Sequence, residues 1–511
     1  MISRVHSFVL QGIDAVACEI EADLSPVGLP KQTVVGLPDI AVRESMERVR
    51  AALLNSGYRF PQTRITINLA PADVRKEGPV YDLPFAIALL RADGTIGPES
   101  GRNGTPRPRI DEYLVAGELA LDGRIRPIRG VISLGLLARS LKIRGVIVPA
   151  HNAPEAAVVD GVEVIGVQTL GDVVSFFNGA KDIPAHQPIR VEELIARAEA
   201  NIDFGDVRGQ ESAKRAVLIA AAGSHNLLMI GPAGTGKTMM AKALPGILPM
   251  LSREEALEVT RIYSSVGRIP HGDPVMTKRP VRTPHHTASA PAIVGGGVIP
   301  RPGDVSLAHR GILFLDEMAE FPRDVLETLR QPMEDGVVTI ARSHGSVKFP
   351  ARFMLVGALN PTPKGDMATD DFSRRAMERY LAKLSGPLLD RIDIHVEVPA
   401  VSYSQLTSAK KGTDSATMRA RVTDARERQR VRNRGVTNSE LSGRALDASV
   451  KLDEPGRTLL GQAMSELGLS ARAYDKVRRV ARTIADLEGS EAVQSAHIAE
   501  AVQYRLLDRT V

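Results

Sequence analysis

The order of apolar and polar residues predicts alternating strands and helices over the first third of the chain. Residues 5–10 and 15–22 alternate in polarity on either side of Gly12, which is typical of half-buried strands joined by a turn. Apolar residues within 40–54 recur at helical spacing. The same patterns predict strands over 65–69, 113–117 and 145–148 and helices over 82–90 and 131–141. We therefore expect a mixed α/β domain over residues 1–178 and a linker over 179–205.

A short apolar run, Leu227–Ile230, predicts a buried strand that leads directly into a glycine-rich loop. The loop fits the pattern G-x-x-x-x-G-K-[ST]; its residues are Gly231, Pro232, Ala233, Gly234, Thr235, Gly236, Lys237 and Thr238. Small residues let such a loop wrap a polyphosphate with its backbone N–H groups, and the following helix points its positive end at the anion. Lys237 would reach the β and γ phosphates, and the Thr238 hydroxyl would bind Mg²⁺. This stretch predicts a nucleotide site.

A second apolar run, residues 311–315, ends in the acidic pair Asp316 and Glu317. It predicts a buried parallel strand, and ligands of such sheets bind at the carboxyl ends of the strands. Asp316 suits a place in the Mg²⁺ shell, directly or through water. Glu317 can orient and polarise an attacking water. A further strand, predicted over 353–359, ends at Asn360.

Composition limits the partners of the protein. The chain has 511 residues, 43% of them apolar, which predicts about two to four domains. The net charge of +5 permits a polyanionic partner, and the low aromatic content makes electrostatic contact with nucleic acid more plausible than base stacking. The single cysteine, Cys18, excludes an internal disulfide framework and fits the cytoplasm. No apolar run approaches membrane-spanning length, so we expect a soluble protein without a membrane partner.

Three further stretches each leave two interpretations open. The adjacent histidines His285 and His286 suggest either a metal site or an insertion loop, and the loop is favoured because no ligand set surrounds them. Residues 336–349 predict a β-hairpin that either grips a phosphate backbone or is purely structural. Arg342, His344 and Lys348 are its candidate DNA contacts. The arginine-rich helix predicted over 418–435 is either a solvated face, which we favour slightly, or a nucleic-acid contact.

Residues 117–156 resemble the proteolytic domain of Lon proteases. In that family a serine in a Gly-Pro-Ser-Ala-Gly stretch acts with a lysine, whereas this chain has Gly78-Pro79-Val80-Tyr81-Asp82. Val80 stands at the nucleophile position, and residues 129–134 lack the lysine. A hydroxyl nucleophile needs an adjacent base, so the resemblance implies a Lon-like fold without peptidase chemistry.

Taken together, the motifs resemble the ComM/YifB family of magnesium-chelatase-like AAA+ ATPases across nearly the whole chain. The resemblance implies an α/β fold with an AAA+ P-loop core (206–400) and a helical C-terminal lid (401–511), preceded by the Lon-like domain. It implies that Val207 and Gln210 lie near adenine, that Asn360 is a first sensor, and that Arg472 is a second sensor reaching the phosphates from the lid. Arg391 is the candidate arginine finger, acting in trans with Asp390 to position it. One departure is Asn360-Pro361-Thr362-Pro363-Lys364-Gly365, where the family commonly has Asn-Pro-Cys-Pro-Cys-Gly.

The resemblance implies a hexameric motor that uses ATP and Mg²⁺ to act on DNA, with branch migration in natural transformation as the associated role. A chelatase-type motor that remodels a protein partner is the alternative. An ATP-dependent protease is disfavoured by Val80, and a non-enzymatic scaffold is disfavoured by Glu317.

Overall fold

The chain forms two compact units. One comprises Met1–Leu194 with Ala256–Met276, and the other comprises Ile195–Glu255 with Thr277–Val511. The computed structural model describes residues 2–27, 29–97, 107–198, 202–270, 272–297, 299–342, 345–360, 384–401 and 412–505. None of the helices in these ranges is both long and apolar enough to cross a membrane.

The first unit contains a mixed seven-stranded sheet in the order β3-β4-β2-β1-β5-β8-β9. β1, β2 and β4 pair antiparallel, and the remaining neighbours in this sheet pair parallel. The strands of this unit are β1 (Ile2–Gln11), β2 (Asp14–Ser25), β3 (Lys31–Val35), β4 (Arg64–Ala70), β5 (Tyr113–Val115), β6 (Glu118–Leu119), β7 (Ile125–Arg126), β8 (Gly145–Pro149) and β9 (Glu163–Val167). All five strands predicted in this region are present, with ends shifted by a few residues.

Amphipathic and apolar helices cover this sheet. They are α1 (Ile40–Asn55), α2 (Asp82–Ala92), α3 (Val131–Ser140), α4 (Ala153–Ala156) and α5 (Leu170–Phe177), followed by α6 (Val191–Ala196). α1 begins where the Asp39 side chain accepts a hydrogen bond from the Val42 N–H at 2.7 Å. The three predicted helices are confirmed: the apolar residues of α1 and α2 form one core cluster with the sheet, and those of α3 form another.

Residues 78–82, which we compared with the Lon nucleophile stretch, make backbone and side-chain contacts within the first unit. Val80 lies in a 3₁₀ turn (Pro79–Tyr81), and its carbonyl accepts from the Gly117 N–H at 3.0 Å. Asp82 is fully buried at the start of α2 and binds Arg48 at 2.8 Å. Ser133 donates its hydroxyl proton to the Ile13 carbonyl at 2.6 Å, as an ordinary buried helix residue.

A segment from the middle of the chain belongs to this first unit. Residues 256–276, which include most of α9 (Arg253–Ser265), lie between the phosphate loop and the Asp316–Glu317 pair in sequence. The buried Ser264 hydroxyl donates to the Glu155 carboxylate, which also accepts from the Ile132 N–H at 3.0 Å. Burial raises the pKa of Glu155, and these donors oppose that rise.

The second unit is built on a parallel five-stranded sheet in the order β11-β14-β17-β10-β18. These strands are β10 (Leu227–Ile230), β11 (Val281–Arg282), β14 (Ile312–Leu315), β17 (Met354–Leu359) and β18 (Ile394–Glu397). β10, β14 and β17 confirm the three predicted apolar strands. They are almost entirely buried, as expected for a sheet covered on both faces.

Helices surround this sheet and continue into the C-terminal region. They are α7 (Glu211–Gly223), α8 (Lys237–Ala243), α10 (Ala290–Val294), α11 (Asp304–Leu307), α12 (Arg323–Thr328), α13 (Arg330–Asp335), α14 (Gly386–Leu389), α15 (Ser415–Arg432), α16 (Gly443–Ser449), α17 (Glu454–Glu466), α18 (Ala471–Leu487) and α19 (Ser495–Gln503). The apolar faces of α15, α18 and α19 share one core with α7 and the sheet. The helical character predicted for the C-terminal region is confirmed.

Two small hairpins project from this unit. β12 (Gly295–Gly296) pairs with β13 (Arg301–Pro302), so the predicted insertion loop contains ordered elements. β15 (Val337–Arg342) pairs with β16 (Gly345–Pro350), which confirms the second hairpin.

The arginine-rich helix α15 makes internal contacts on one face and is exposed to solvent on the other. Arg426 donates to the Ala221 carbonyl at 2.8 Å, and Arg432 binds the buried Asp486 at 2.6 Å. The opposite face of the helix is solvated as predicted: Arg421 and Asp424 are exposed, and Arg430 pairs with the exposed Glu427 at 2.6 Å. Helical spacing could not distinguish these roles, because the partners lie on other helices.

Candidate nucleotide-binding site

The glycine-rich loop follows β10 at the carboxyl edge of the parallel sheet. Gly231 lies so close to the chain after β18 that a Cβ there would be 2.0 Å from the Val398 carbonyl oxygen. Gly236 has φ of +92°, a left-handed conformation that starts α8. These two positions explain why the loop needs glycine at both ends.

Lys237 is a buried cation whose polar partners among the described residues are neutral oxygens. Its ammonium donates to the carbonyls of Gly231 at 2.6 Å and Pro232 at 2.7 Å, and to Asn360 Oδ1 at 3.3 Å. Burial lowers the pKa of Lys237, while the nearby Asp316 and Glu317 oppose this. A buried ammonium bound only to neutral oxygens, beside a glycine-rich loop, suits an anion such as a polyphosphate.

The Thr238 hydroxyl and the Asp316 carboxylate meet across the sheet edge. The hydroxyl donates to Asp316 Oδ2 at 2.8 Å, although 78 residues separate the two in sequence. A hydroxyl and a carboxylate at this spacing, beside a phosphate loop, fit the small oxygen-ligand set that Mg²⁺ takes from protein.

Glu317 follows Asp316 in a left-handed conformation with φ of +50°. Such a backbone is uncommon outside glycine and asparagine, and it turns the side chain away from the strand direction. The carboxylate is half exposed, so it is open to water on the phosphate-loop side of the sheet. The structure brings five predicted residues to this edge of the sheet: Lys237, Thr238, Asp316, Glu317 and Asn360.

Of the two residues expected near adenine, Gln210 lies directly behind the loop. Its side-chain amide donates to the Thr235 carbonyl at 3.3 Å and the Pro399 carbonyl at 2.6 Å. Val207 is buried in the core cluster of the same unit. Gln210 therefore couples the loop to the segment that precedes α7.

Arg391 and Arg472 lie at the opposite edge of the sheet from the phosphate loop. Both line a cavity of about 840 Å³ that also touches residues preceding or beginning the parallel strands; among these are Asn226, Gly311, Met354 and Asp393. The four residues of β10 separate the two edges by roughly 13 Å. The structure thus groups Arg472 with Arg391, whereas we expected it to reach the phosphates from the lid.

The pairing of these arginines also differs from expectation. Asp390 binds Arg472 at 3.2 Å, and Arg391 binds Glu334 and the Pro387 carbonyl. Asp390 was expected to position Arg391. The actual partner, Glu334, is 57 residues away in sequence, so no local pattern could have revealed it.

The hairpin residues expected to contact DNA are only partly described. Lys348 is exposed and lies opposite Thr339 on the outer face of the hairpin. Arg342 ends β15, with its side chain outside the described residues, as is the whole of His344.

Sequence reasoning missed one residue of this site. His286, which we considered as a metal ligand or as part of an insertion loop, has its Nδ1 atom 3.6 Å from Glu317 Oε2. The parallel register of β11 with β14 is the signal that places these residues side by side.

Three family models match consecutive parts of the chain. Residues 20–152 match the model described as subunit ChlI of Mg-chelatase. Residues 203–406 match magnesium chelatase, subunit ChlI, and residues 412–505 match the C-terminal part of that subunit.

Curated relatives match the chain over its whole length or over part of it. The competence protein ComM of Haemophilus influenzae is 42% identical over 99% of this chain and 97% of its own length. The uncharacterised protein YifB of Escherichia coli is 42% identical over 99% of this chain and 98% of its own length. The magnesium-chelatase 38 kDa subunit of Rhodobacter capsulatus is 26% identical over 59% of this chain and 86% of its own length.

Proposed function

Because the chain belongs to the magnesium-chelatase-like AAA+ family that includes ComM and YifB, we propose that it is an ATP-hydrolysing motor that acts on DNA. In this proposal it is a hexameric, cytoplasmic helicase or branch-migration translocase of ComM type, which serves natural transformation or recombination.

The observation that carries the ATPase part is the convergence of Lys237, Thr238, Asp316 and Asn360 at one sheet edge. The buried Lys237 ammonium, paired with neutral oxygens, suits the β and γ phosphates of ATP. Thr238 and Asp316 would hold Mg²⁺, which neutralises charge on the phosphate oxygens.

The remaining residues would carry out in-line hydrolysis. Glu317 polarises a water whose oxygen attacks the γ phosphorus, and the bond to the β–γ bridging oxygen breaks as ADP leaves. Asn360 orients the water or the γ phosphate. The proton of the attacking water passes to Glu317 or to the released phosphate.

A neighbouring subunit would complete the site. Arg391 and Arg472 lie roughly 13 Å or more from the phosphate loop of their own chain, at the opposite sheet edge. Guanidinium groups at a subunit edge can stabilise charge on a phosphoryl group held by the next subunit. Their position supports a role in trans for both residues.

The DNA part rests on a different observation. Lys348 lies on the exposed face of a two-stranded hairpin, where a cation can contact a phosphate backbone without reading sequence. The similarity to a competence protein over nearly its whole length supports a role in DNA uptake or recombination.

The test is ATP hydrolysis by the full-length protein with Mg²⁺, alone and with single-stranded or branched DNA, followed by a branch-migration assay. We expect DNA to stimulate hydrolysis and branched substrates to be converted to products. If DNA neither bound at low salt nor changed the rate of ATP hydrolysis, the proposal of a DNA motor would be rejected. The chelatase-type alternative would then be favoured. That alternative draws support from the family models, which are named after the chelatase subunit.

A further inference from the structure

Asn226, which precedes β10, connects the chain on both sides of that strand at the end of the sheet opposite the phosphate loop. Its side-chain amide donates to the Arg391 carbonyl at 2.9 Å, and its side-chain oxygen accepts from the Leu355 N–H at 2.8 Å. Leu355 lies in β17 and Arg391 precedes β18, and these two strands flank β10 in the sheet. One side chain therefore fixes the segment that contains Arg391 to the strand on the other side of β10.

The backbone of Asn226 is held to the same segment. Its carbonyl accepts from the N–H groups of Asp393 and Ile394 at 3.0 and 3.1 Å, and its N–H donates to Asp393 Oδ2 at 3.3 Å. Burial alone would raise the pKa of Asp393, but Lys476 and His225 lower that pKa below its usual range. Asp393 is therefore a charged, buried anchor for Asn226.

The same carboxylate contacts the helix that carries Arg472. Lys476 Nζ lies 3.4 Å from Asp393 Oδ1, and it donates to the Ile392 carbonyl at 3.0 Å. Lys476 follows Arg472 by four residues in α18, so the two lie on one face of that helix. The segments of both arginines at this end of the sheet are thus held by one buried network.

The position of the Arg391 guanidinium depends on how its backbone is held. Arg391 follows α14, a helix of four residues, and its side chain is 13% exposed. Its buried Nε atom has no hydrogen-bond partner among the described residues. An unused donor beside a cavity suits an acceptor from a neighbouring molecule. Where a charged group must meet a transition state, a misplacement of about 1 Å can cost about a hundredfold in rate.

The contacts of Asn226 do not lead to the loop that follows it in sequence. Among the described residues, no hydrogen bond joins its side chain to the phosphate loop, which begins five residues later. On the basis of the proposed function, we propose that Asn226 is a positioning residue for Arg391, which serves hydrolysis in the neighbouring subunit's site and not in its own. From sequence alone, a residue beside β10 would be assigned to its own phosphate loop.

The test measures phosphate release by full-length Asn226→Ala without DNA, together with titration of a fluorescent ATP analogue. We expect kcat to fall at least about tenfold, because Arg391 loses its alignment, while nucleotide affinity stays within about twofold of wild type. Ser439→Ala is the matched control, because it removes a hydroxyl from the same cavity without touching Arg391. It should leave kcat within about 1.5-fold of wild type.

Mixed oligomers decide which site Asn226 serves. Mixing equal amounts of Asn226→Ala and Lys237→Ala should restore about a quarter of wild-type hydrolysis, because that share of random interfaces joins an intact loop to an aligned arginine. Mixing Asn226→Ala with Arg391→Ala should restore nothing, because both variants damage the same half of the site. A merely structural defect, or an effect on its own loop, would not give this pattern.

Asn226→Asp is the second variant, which decides the question if Asn226→Ala fails to fold. It keeps the size of the side chain and an oxygen for the Leu355 N–H, but it loses the donor to the Arg391 carbonyl. It should show the same loss of kcat and the same mixing pattern. Recovery with Arg391→Ala but not with Lys237→Ala would place Asn226 in its own subunit's site and overturn the proposal. Recovery with neither partner, or an unchanged kcat in the folded variants, would also overturn it.

Failure of the proposed function would look different. A wild-type protein that hydrolyses no ATP would reject the proposed function and the positioning role together. A wild-type protein that DNA does not stimulate would reject only the DNA part of the proposed function. Because these rates are measured without DNA, they would still decide the role of Asn226.

Discussion

The state of Lys237 shows how single residues set up this site. Lys237 is 7% exposed, and its ammonium is bound to neutral oxygens. Among the described residues no carboxylate contacts this ammonium to neutralise its positive charge. Glu317 differs from Lys237 in exposure: its carboxylate is half exposed and accessible to water. Binding and hydrolysis should therefore be separable by substitution.

Lys237→Ala should weaken ATP binding at least about tenfold and reduce kcat at least about 100-fold, because the phosphate cation is lost. Glu317→Gln should reduce kcat by a similar factor while nucleotide affinity stays within about twofold, because the water-activating base is not a binding group. Phosphate release and titration with a fluorescent ATP analogue measure the two quantities. Lys242→Ala, an exposed lysine on the same helix, is the control. Full turnover in either site variant would show that the site is wrongly assigned.

A second residue-scale prediction concerns the first unit. Asp82 is fully buried, with its carboxylate bound by Arg48 at 2.8 and 3.0 Å and by the Leu119 N–H at 3.2 Å. Burial raises the pKa of Asp82, and Arg48 opposes this rise. Arg48→Met leaves the buried charge without its cation, so the free energy of unfolding should fall by about 3 kcal/mol at neutral pH.

The pH dependence of that loss has a definite sign. A carboxyl whose folded-state pKa is raised costs stability above its folded-state pKa, and the cost disappears below its unfolded-state value of about 3.9. The deficit of Arg48→Met should therefore shrink as the pH falls from about 7 toward 4. Denaturant unfolding at several pH values measures it, with the exposed Arg43→Met on the same helix as control. An equal deficit at every pH would mean that lost packing, and not the Asp82 charge, explains the effect.

At the scale of elements, the hairpin β15–β16 divides its two faces between packing and solvent. Val338 and Ile340 are buried on one face, while Thr339 and Lys348 are exposed on the other. This alternation is what the period of two in its sequence predicts. It also shows which hairpin substitution can be made without disturbing the core.

Lys348→Ala should weaken binding to DNA and lower the slope of log affinity against log salt by about 0.9 for each phosphate contact removed. Thr339→Ala, its uncharged cross-strand partner, should leave the slope unchanged. Fluorescence anisotropy with labelled DNA between about 50 and 200 mM salt measures both. If the slopes of Lys348→Ala and wild type coincide, Lys348 does not contact the phosphate backbone.

For the whole molecule, the residues proposed for hydrolysis are divided between the two ends of the parallel sheet. The phosphate loop and acidic pair lie at one edge, and Arg391 and Arg472 lie at the other, in a cavity of about 840 Å³. No folding of one chain onto itself brings the ends of a parallel sheet together. A ring in which each subunit completes its neighbour would do so.

This arrangement predicts complementation between two inactive variants. Arg391→Ala should reduce kcat by about 10³, the usual effect of removing an arginine finger. Mixing it in equal amounts with Lys237→Ala should restore about a quarter of wild-type hydrolysis, since random assembly gives that share of interfaces an intact loop and an intact arginine. Mixing Lys237→Ala with Glu317→Gln is the control and should restore nothing. Failure of the first mixture to recover activity would place Arg391 in its own subunit's site or outside catalysis.

Local features of both units could be predicted because their causes are local. The strand–loop–helix around Lys237, the acids after β14 and the hairpin all follow from periodicity and from residues adjacent in sequence. Polar pairings across the fold could not be predicted this way. The salt-bridge partner of Arg391 is Glu334 and not Asp390, and two arginines of α15, Arg426 and Arg432, bind Ala221 and Asp486 on other helices.

The sequence by itself determined that this protein has a phosphate loop, the acids that follow a buried strand and a helical C-terminal region, because each depends on short-range backbone and burial preferences. Only the tertiary structure decided that Lys237 meets Asn360, that His286 contacts Glu317 and that Arg472 lies at the opposite end of the sheet from the phosphate loop. Residues 256–276 likewise join the first unit through packing that no local pattern encodes. Those relations are set by strand order, register and the burial of distant surfaces against each other, which act on the whole chain at once.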